Sequence, residues 1–185
     1  MTLRMLAHRF HQVALHLRAV ARDYRARLGL GAPVGAPGDL LLRTLRASAR
    51  ARRAFAAAHP ADQEASVRVA LSLRRQGAGD DDQLAALLHD LAKGRVGLVP
   101  RIVHVLEGAP TRGAARGPWA AARNTLRTHA ATAPRLAADL GAPAGTIALL
   151  EGLARRESGA APRTSSGHMR PRIEMLHRLD SGAPQ

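Results

Sequence analysis

The sequence contains no cysteine, a single lysine (Lys93) and only four aromatic residues in 185 positions. Without cysteine, the chain can form neither a disulfide framework nor a cysteine-based zinc site. The scarcity of aromatic side chains leaves the core to leucine, valine, isoleucine and many alanines. That composition favours helices over strands, so we predict an all-α protein of one domain.

Long apolar runs are also missing from the chain. No segment approaches the roughly 20 apolar residues that a membrane-spanning helix needs, because arginines interrupt the N-terminal apolar pattern. No signal-peptide pattern is visible either. The sequence therefore predicts a protein with no transmembrane segment and a cytoplasmic location.

Acidic residues are scarce relative to basic ones, with 14 Asp and Glu against 28 Lys and Arg and a net charge of +14. Residues 1–58 hold eleven arginines but only two acids, Asp23 and Asp39. Such a surplus attracts phosphates, nucleic acid or anionic lipid, or else forms a solvated basic surface. A basic nucleic-acid-binding protein is therefore one alternative, although aromatic residues for base stacking do not alternate with the arginines and no DNA-binding motif is visible.

An apolar stripe with alternating steps of four and three runs through residues 3–28, from Leu3 and Ala7 to Tyr24 and Leu28. This spacing predicts an N-terminal amphipathic helix. We expect the stripe to pack on the rest of the domain; self-association through residues 3–28 and binding to a membrane surface are the alternatives. The chain is thus divided into a basic N-terminal helical extension that packs on the domain (1–58), a helical domain (59–182) and a short tail (183–185).

Helical periodicity continues along the rest of the chain, and glycines and prolines separate the segments. The predicted helices after the first cover approximately residues 39–58, 62–76, 80–93, 99–106, 119–140, 147–156 and 172–179.

The segment with the clearest chemical content is Leu-Leu-His-Asp-Leu-Ala-Lys at residues 87–93. On a helix, Asp90 lies about 100° from His89 and close to a leucine-rich face. A carboxylate in that position must be paired or coordinated, because otherwise its burial costs several kcal/mol of lost solvation. The segment is preceded by Val-Arg-Val-Ala at residues 67–70 and followed, much later, by Leu-Asp at residues 179–180.

These residues resemble the HD-domain superfamily of metal-dependent phosphohydrolases, whose motif is a helix bearing a His, then a His-Asp pair, then a distant Asp on a later helix. The similarity is clearest over residues 60–94 and extends more weakly to residue 180. It implies a small bacterial member of the superfamily with a compact helical bundle of the HD-domain type.

The resemblance also implies roles for individual residues. His89, Asp90 and Asp180 match the metal ligands, for Mg²⁺ or Mn²⁺, and Lys93 together with Asp90 matches the catalytic positions. His129 matches a position for a second-site or phosphate contact. A working enzyme of this type hydrolyses nucleotides or other phosphate esters.

One ligand of the family pattern is missing, because its first His falls at Ala65, whose methyl group cannot bind a metal. Neither Asp62, His59 nor Glu64 lies where a helix would let it substitute. Arg68, one turn after Ala65, is a candidate cation for the neighbouring carboxylates or a phosphate contact. The sequence therefore predicts weakened or lost catalysis and binding of a phosphorylated small molecule or nucleotide, with an active phosphohydrolase as the alternative.

Overall fold

A computed structural model describes residues 3–32, 35–107, 119–160 and 168–180, without the side chains of residues 3–9, 106 and 107. Within these ranges the secondary structure is helical and no strand occurs, which confirms the all-α prediction. The helices are α1 (Leu3–Arg27), α2 (Ala36–Thr44), α3 (Ala49–Ala57), α4 (Pro60–Arg75), α5 (Asp80–Leu88), α6 (Leu98–Glu107), α7 (Ala120–Asp139), α8 (Ala144–Glu157) and α9 (Met169–Asp180). The predicted tail at residues 183–185 lies outside the described residues.

Helix α5 lies at the centre of the fold and packs against α2, α3, α4, α8 and α9. Its residues 82–88 are all buried, as is typical of a helix that is surrounded on every side. Leu84, Leu87 and Leu88 share one core with Leu42 of α2 and Phe55 of α3. His89 and Asp90 follow directly at the end of this central helix.

The segment predicted as one helix over residues 39–58 is two helices, and that prediction is wrong. Arg46 takes a left-handed backbone conformation with φ of 55°. The amide of Ala47 donates to the carbonyl of Leu42, and the amide of Arg46 donates to that of Arg43, as in a Schellman helix end. Ser48 then begins α3 by accepting a hydrogen bond from the amide of Ala51.

The segment predicted as one helix from residue 80 to Gly94 also breaks, at the His-Asp pair. The amide of His89 makes the last α-helical bond, to the carbonyl of Ala85. Residues Leu91–Lys93 then form a tighter 3-10 turn, which Gly94 ends with φ of 58°. The turn brings the side chain of Lys93 back over Asp90.

Helix α1 packs on α4 and α6, but not through the predicted apolar stripe. Phe10, Leu17, Tyr24 and Leu28 are 61%, 48%, 64% and 57% exposed. The expectation that this stripe packs on the domain is therefore wrong for these residues, whereas Val13 and Val20, which widen the stripe on one side, are half-buried. We call the side of these exposed residues, together with the exposed Ala14 and Ala21 between the larger residues, the outer face of α1.

The opposite side of α1 makes the contacts. Ala19 is fully buried, and an ion pair of 3.0 Å joins Arg22 Nη1 to Glu64 Oε1 of α4. Gln12 and His16 also lie on this side and face the interior cavity described below. The side of α1 that docks carries Gln12 and His16 beside Leu15 and Ala19, so the surface that α1 meets, and not the apolar spacing alone, decides which side packs. Among the described helices, none is both long enough and apolar enough to cross a bilayer.

Candidate functional site

The side chains of His89, Asp90 and Asp180 converge at the end of α5. His89 Nε2 lies 3.0 Å from Asp180 Oδ1 and 3.3 Å from Asp90 Oδ1. His89 Nδ1 donates a hydrogen bond of 2.8 Å to the carbonyl of Ala86, which fixes the plane of the ring. Asp180 is the last residue of α9, so the packing of α9 against α4, α5 and α8 brings it to this point.

Lys93 and His129 complete the group around Asp90. Lys93 Nζ lies 2.6 Å from Asp90 Oδ1, a contact that the 3-10 turn makes possible. His129 Nε2, from α7, lies 3.5 Å from the same oxygen. Because His129 Nδ1 faces the carbonyl of Leu126 at 2.8 Å, the proton of a neutral ring sits on Nδ1 and the Nε2 lone pair faces the cluster.

The charges of the cluster are set by mutual pairing. Burial opposes protonation of His89, but the carboxylates of Asp90 and Asp180 outweigh it and raise the pKa of His89 to about 10. Burial likewise opposes the charge of Lys93, yet Asp90 and then Asp62 raise its pKa to about 12. Burial alone would raise the pKa of Asp90 and of Asp180; pairing with His89 reverses the effect and lowers both.

His129 differs from His89 in its charge. Burial, reinforced by the nearby Lys93 ammonium, lowers the pKa of His129 to about 4. At neutral pH the cluster therefore holds two cations, His89 and Lys93, two carboxylates, Asp90 and Asp180, and one neutral imidazole.

The cluster opens into a cavity of about 490 Å³ between α1, α4, α6 and α7. Ala65, the position that the family resemblance assigns to a further His, lies in its wall and faces the same space as Asp90 and Lys93. Arg68 lies at the wall with an exposed side chain. The cavity is also lined by Gln12, Leu15 and His16 of α1, Asp62 and Glu64 of α4, Arg101, His104 and Val105 of α6, and Leu126 of α7.

The cation at Asp90 is Lys93, whereas Arg68 was the sequence-based candidate for that role. Lys93 is within ion-pair distance of Asp90, and Arg68 lies at the exposed edge of the cavity. The sequence favoured Arg68 because it lies one helical turn after Ala65 and its side chain leans back toward that position. The 3-10 turn after His89 places Lys93 beside Asp90 instead.

A buried ion pair between Asp62 and Arg101 was missed entirely by sequence reasoning. Arg101 Nη1 lies 2.6 Å from Asp62 Oδ1, and both side chains are buried. Arg101 also donates to the carbonyls of Val96, at 2.8 Å, and Gly94, at 3.3 Å. Arg101 thereby ties the turn that follows Lys93 to the first turn of α4, and both members of the pair line the cavity.

The three donor side chains of the cluster meet part of the coordination requirement of a divalent cation. His89, Asp90 and Asp180 each offer one ligand atom, and these atoms lie within 4.8 Å of one another. One imidazole nitrogen and two carboxylate oxygens fit Mg²⁺ or Mn²⁺ as a partial ligand set, which water can complete. Ala65 adds no donor to this set.

Comparison with known proteins leaves the chain unassigned. No protein-family model matches it, and no curated protein and no solved structure matches it significantly. The site must therefore be interpreted from its own geometry.

Proposed function

We propose that this protein is an HD-type helical bundle with an N-terminal amphipathic helix over its site, that it binds a phosphorylated small molecule or nucleotide, and that its hydrolytic activity is weakened or lost. One observation carries the proposal. The His89, Asp90 and Asp180 side chains lie together with Lys93 and His129 beside a cavity whose wall includes Ala65, the position that the resemblance assigns to a further His.

Cationic side chains in the cavity favour a phosphorylated ligand. Arg68 and Lys93 line the cavity together with His129, whose ring is neutral. Ammonium and guanidinium groups bind phosphate oxygens through charge-assisted hydrogen bonds. A cavity of about 490 Å³ is within the size range of sites that hold small molecules and cofactors.

The arrangement around Asp90 favours weak catalysis. The ammonium of Lys93 and the ring of His89 already offset both carboxylates, so the cluster is balanced by the chain's own side chains. Ala65 supplies no further ligand, and the loss of a single supporting group at a metal site typically costs about 10- to 100-fold in affinity or activity.

An active phosphohydrolase is the second candidate, and the convergence of three donor atoms supports it. A divalent cation held by His89, Asp90 and Asp180 would polarise a phosphoryl oxygen and activate water. Lys93 would then neutralise charge on the substrate.

Restoring the missing ligand distinguishes the two candidates. We expect Ala65→His to raise Mn²⁺-dependent hydrolysis of bis(p-nitrophenyl) phosphate by about 10- to 100-fold over the unmodified chain, since an imidazole would then enter the cavity beside Asp90. The measurement is the release of nitrophenol with and without a chelator.

The matched control is Ala65→His combined with Asp90→Asn, which should lose the gain because a metal ion then lacks the Asp90 carboxylate as a ligand. Rapid Mn²⁺-dependent turnover by the unmodified chain, with no improvement in Ala65→His, would favour the active phosphohydrolase instead.

A further inference from the structure

The outer face of α1 is the largest set of exposed apolar side chains on any described helix. Phe10, Leu17 and Tyr24 follow one another at intervals of seven residues, and Leu28 continues the line four residues later. At 1.5 Å per residue the line is about 27 Å long. Contiguous exposed apolar surface of this kind marks an interaction site in a folded protein.

The outer face points away from the rest of the molecule. Helix α1 docks on α4 and α6 through the side that carries the buried Ala19 and the Arg22–Glu64 ion pair. Phe10 and Tyr24, two of the four aromatic residues in the chain, therefore lie on the side opposite the docked one. A flat partner can reach this face without moving α1.

Arginines flank the apolar line. Arg18 and Arg25 each follow an outer-face residue by one position, which places them about 100° round the helix, and both are exposed. Arg27 precedes Leu28 and lies on the other flank, where it pairs with Asp23 at 2.8 Å. Asp23 is the sole acidic residue in α1, against six arginines.

These charges favour an anionic partner over a second copy of the chain. Two copies meeting through their outer faces would bring arginine flanks together with few acids to pair them, and like charges at close range are destabilising. A helix with Phe and Leu on one side and arginines at the boundary fits an interface between acyl chains and anionic headgroups.

We infer that the outer face of α1 binds an anionic membrane surface, with its apolar line in the acyl boundary and Arg18 and Arg25 at the lipid phosphates. The helix lies in the plane of the membrane, since none of the described helices is apolar enough to cross it. Membrane binding and ligand binding use opposite sides of α1, so either can fail without the other.

The test is co-sedimentation of the full chain with vesicles. We expect binding to vesicles of equal parts phosphatidylglycerol and phosphatidylcholine, little binding to pure phosphatidylcholine, and weaker binding as salt is raised. Arg18→Gln with Arg25→Gln should lower the partition coefficient about 30-fold, which corresponds to about 1 kcal/mol per basic residue. Leu17→Gln with Tyr24→Gln should lower it at least about tenfold.

Matched controls are available on other helices. Arg74→Gln with Arg75→Gln removes two exposed arginines from α4, and Leu40→Gln removes an exposed leucine from α2. Both should retain binding. Because all the substituted side chains are exposed, circular dichroism should show every variant folded.

Three results would overturn the inference. The first is equal binding to both kinds of vesicle or to neither. The second is a loss of binding in the controls as large as that in the α1 variants. The third is a dimer, seen by sedimentation equilibrium, that Leu17→Gln with Tyr24→Gln dissociates while vesicle binding is absent; that result would show self-association through α1.

Discussion

Arg101 interrupts an apolar run in α6 and makes its contacts inside the protein rather than in solvent. Its partner Asp62 is 39 residues earlier, so sequence spacing gave no sign of the pair. The available signal was the arginine itself, since a charged residue among Val, Leu and Ile is buried only when it is paired. His89, Asp90 and Lys93 were easier to predict because they share one short motif.

Asp180 was predicted through the family resemblance and not through its own pattern. Its hydrogen bond to His89 joins residues 91 positions apart. A contact of that range depends on how α9 packs, which local spacing does not contain. The structure brings the two side chains together, and their role in metal or ligand binding stays a prediction.

Replacing Arg101 tests the importance of the buried pair. We expect Arg101→Met to lower the free energy of unfolding by about 3–5 kcal/mol at neutral pH, because it leaves the buried Asp62 carboxylate without its cationic donor. Arg43→Met is the matched control. It breaks the exposed Arg43–Asp39 pair of 2.8 Å and should cost less than about 1 kcal/mol in urea unfolding.

The loss of unfolding free energy caused by Arg101→Met should depend on pH. Burial raises the pKa of Asp62 above its ordinary value, while Lys93 and Arg101 act to lower it. Without Arg101 the pKa of Asp62 rises further. The variant is therefore destabilised most while Asp62 is ionised, and the loss of stability shrinks as falling pH protonates Asp62 in the folded state. A loss of stability that does not shrink as the pH is lowered, or one as small as that of Arg43→Met, would contradict this account.

At the scale of helices, the separation of α2 from α3 shows how a local signal was overlooked. Glycine is the usual residue at a Schellman helix end, and here the left-handed position is occupied by Arg46. The absence of a glycine there led to the prediction of one continuous helix over residues 39–58. Ser48, two residues later, was the helix-start signal that would have divided it.

Arg46→Gly should stabilise the protein. A residue with a side chain is strained at a φ of 55°, and glycine relieves that strain at some cost in unfolded-chain entropy. We expect a gain of about 0.5–1 kcal/mol in the free energy of unfolding. The measurement is urea denaturation of the unmodified protein and of the Arg46→Gly variant.

The reciprocal control lies at the end of α4. Gly77 has φ of 75° and occupies the corresponding position, where its amide donates to the carbonyl of Arg74. Gly77→Ala should cost about 1 kcal/mol or more. If Arg46→Gly destabilised the protein and Gly77→Ala left its stability unchanged, backbone strain at the helix ends would not determine the stability effect of these positions.

Helix α1 shows a second limit of local patterns. The alternating spacing of four and three residues predicted an apolar stripe. Its large described side chains are exposed along one face of the helix, but the spacing did not show what that face contacts. Which side of a helix docks depends on the surface it meets. Here that surface includes the cavity, and Gln12, Leu15 and His16 face it.

At the scale of the whole molecule, four helices contribute residues to a site whose parts are far apart in the sequence. Ala65 belongs to α4, the His-Asp pair to the end of α5, His129 to α7 and Asp180 to α9. The all-helical class followed from composition, because few aromatic and β-branched residues leave helix packing as the way to build a core. The arrangement of those helices did not follow from composition, since many packings satisfy the same periodicity.

The most direct test of the proposed function is calorimetric titration of adenosine monophosphate into the chelator-treated protein. We predict binding at a single site without added metal, because Lys93 and Arg68 supply the positive charge for the phosphate. Arg68→Gln should weaken the affinity roughly tenfold, and Arg75→Gln, an exposed arginine two turns further along α4, should leave it unchanged. Absence of binding in chelator, together with Mn²⁺-dependent hydrolysis of the same nucleotide, would contradict the account and identify a metal-dependent enzyme.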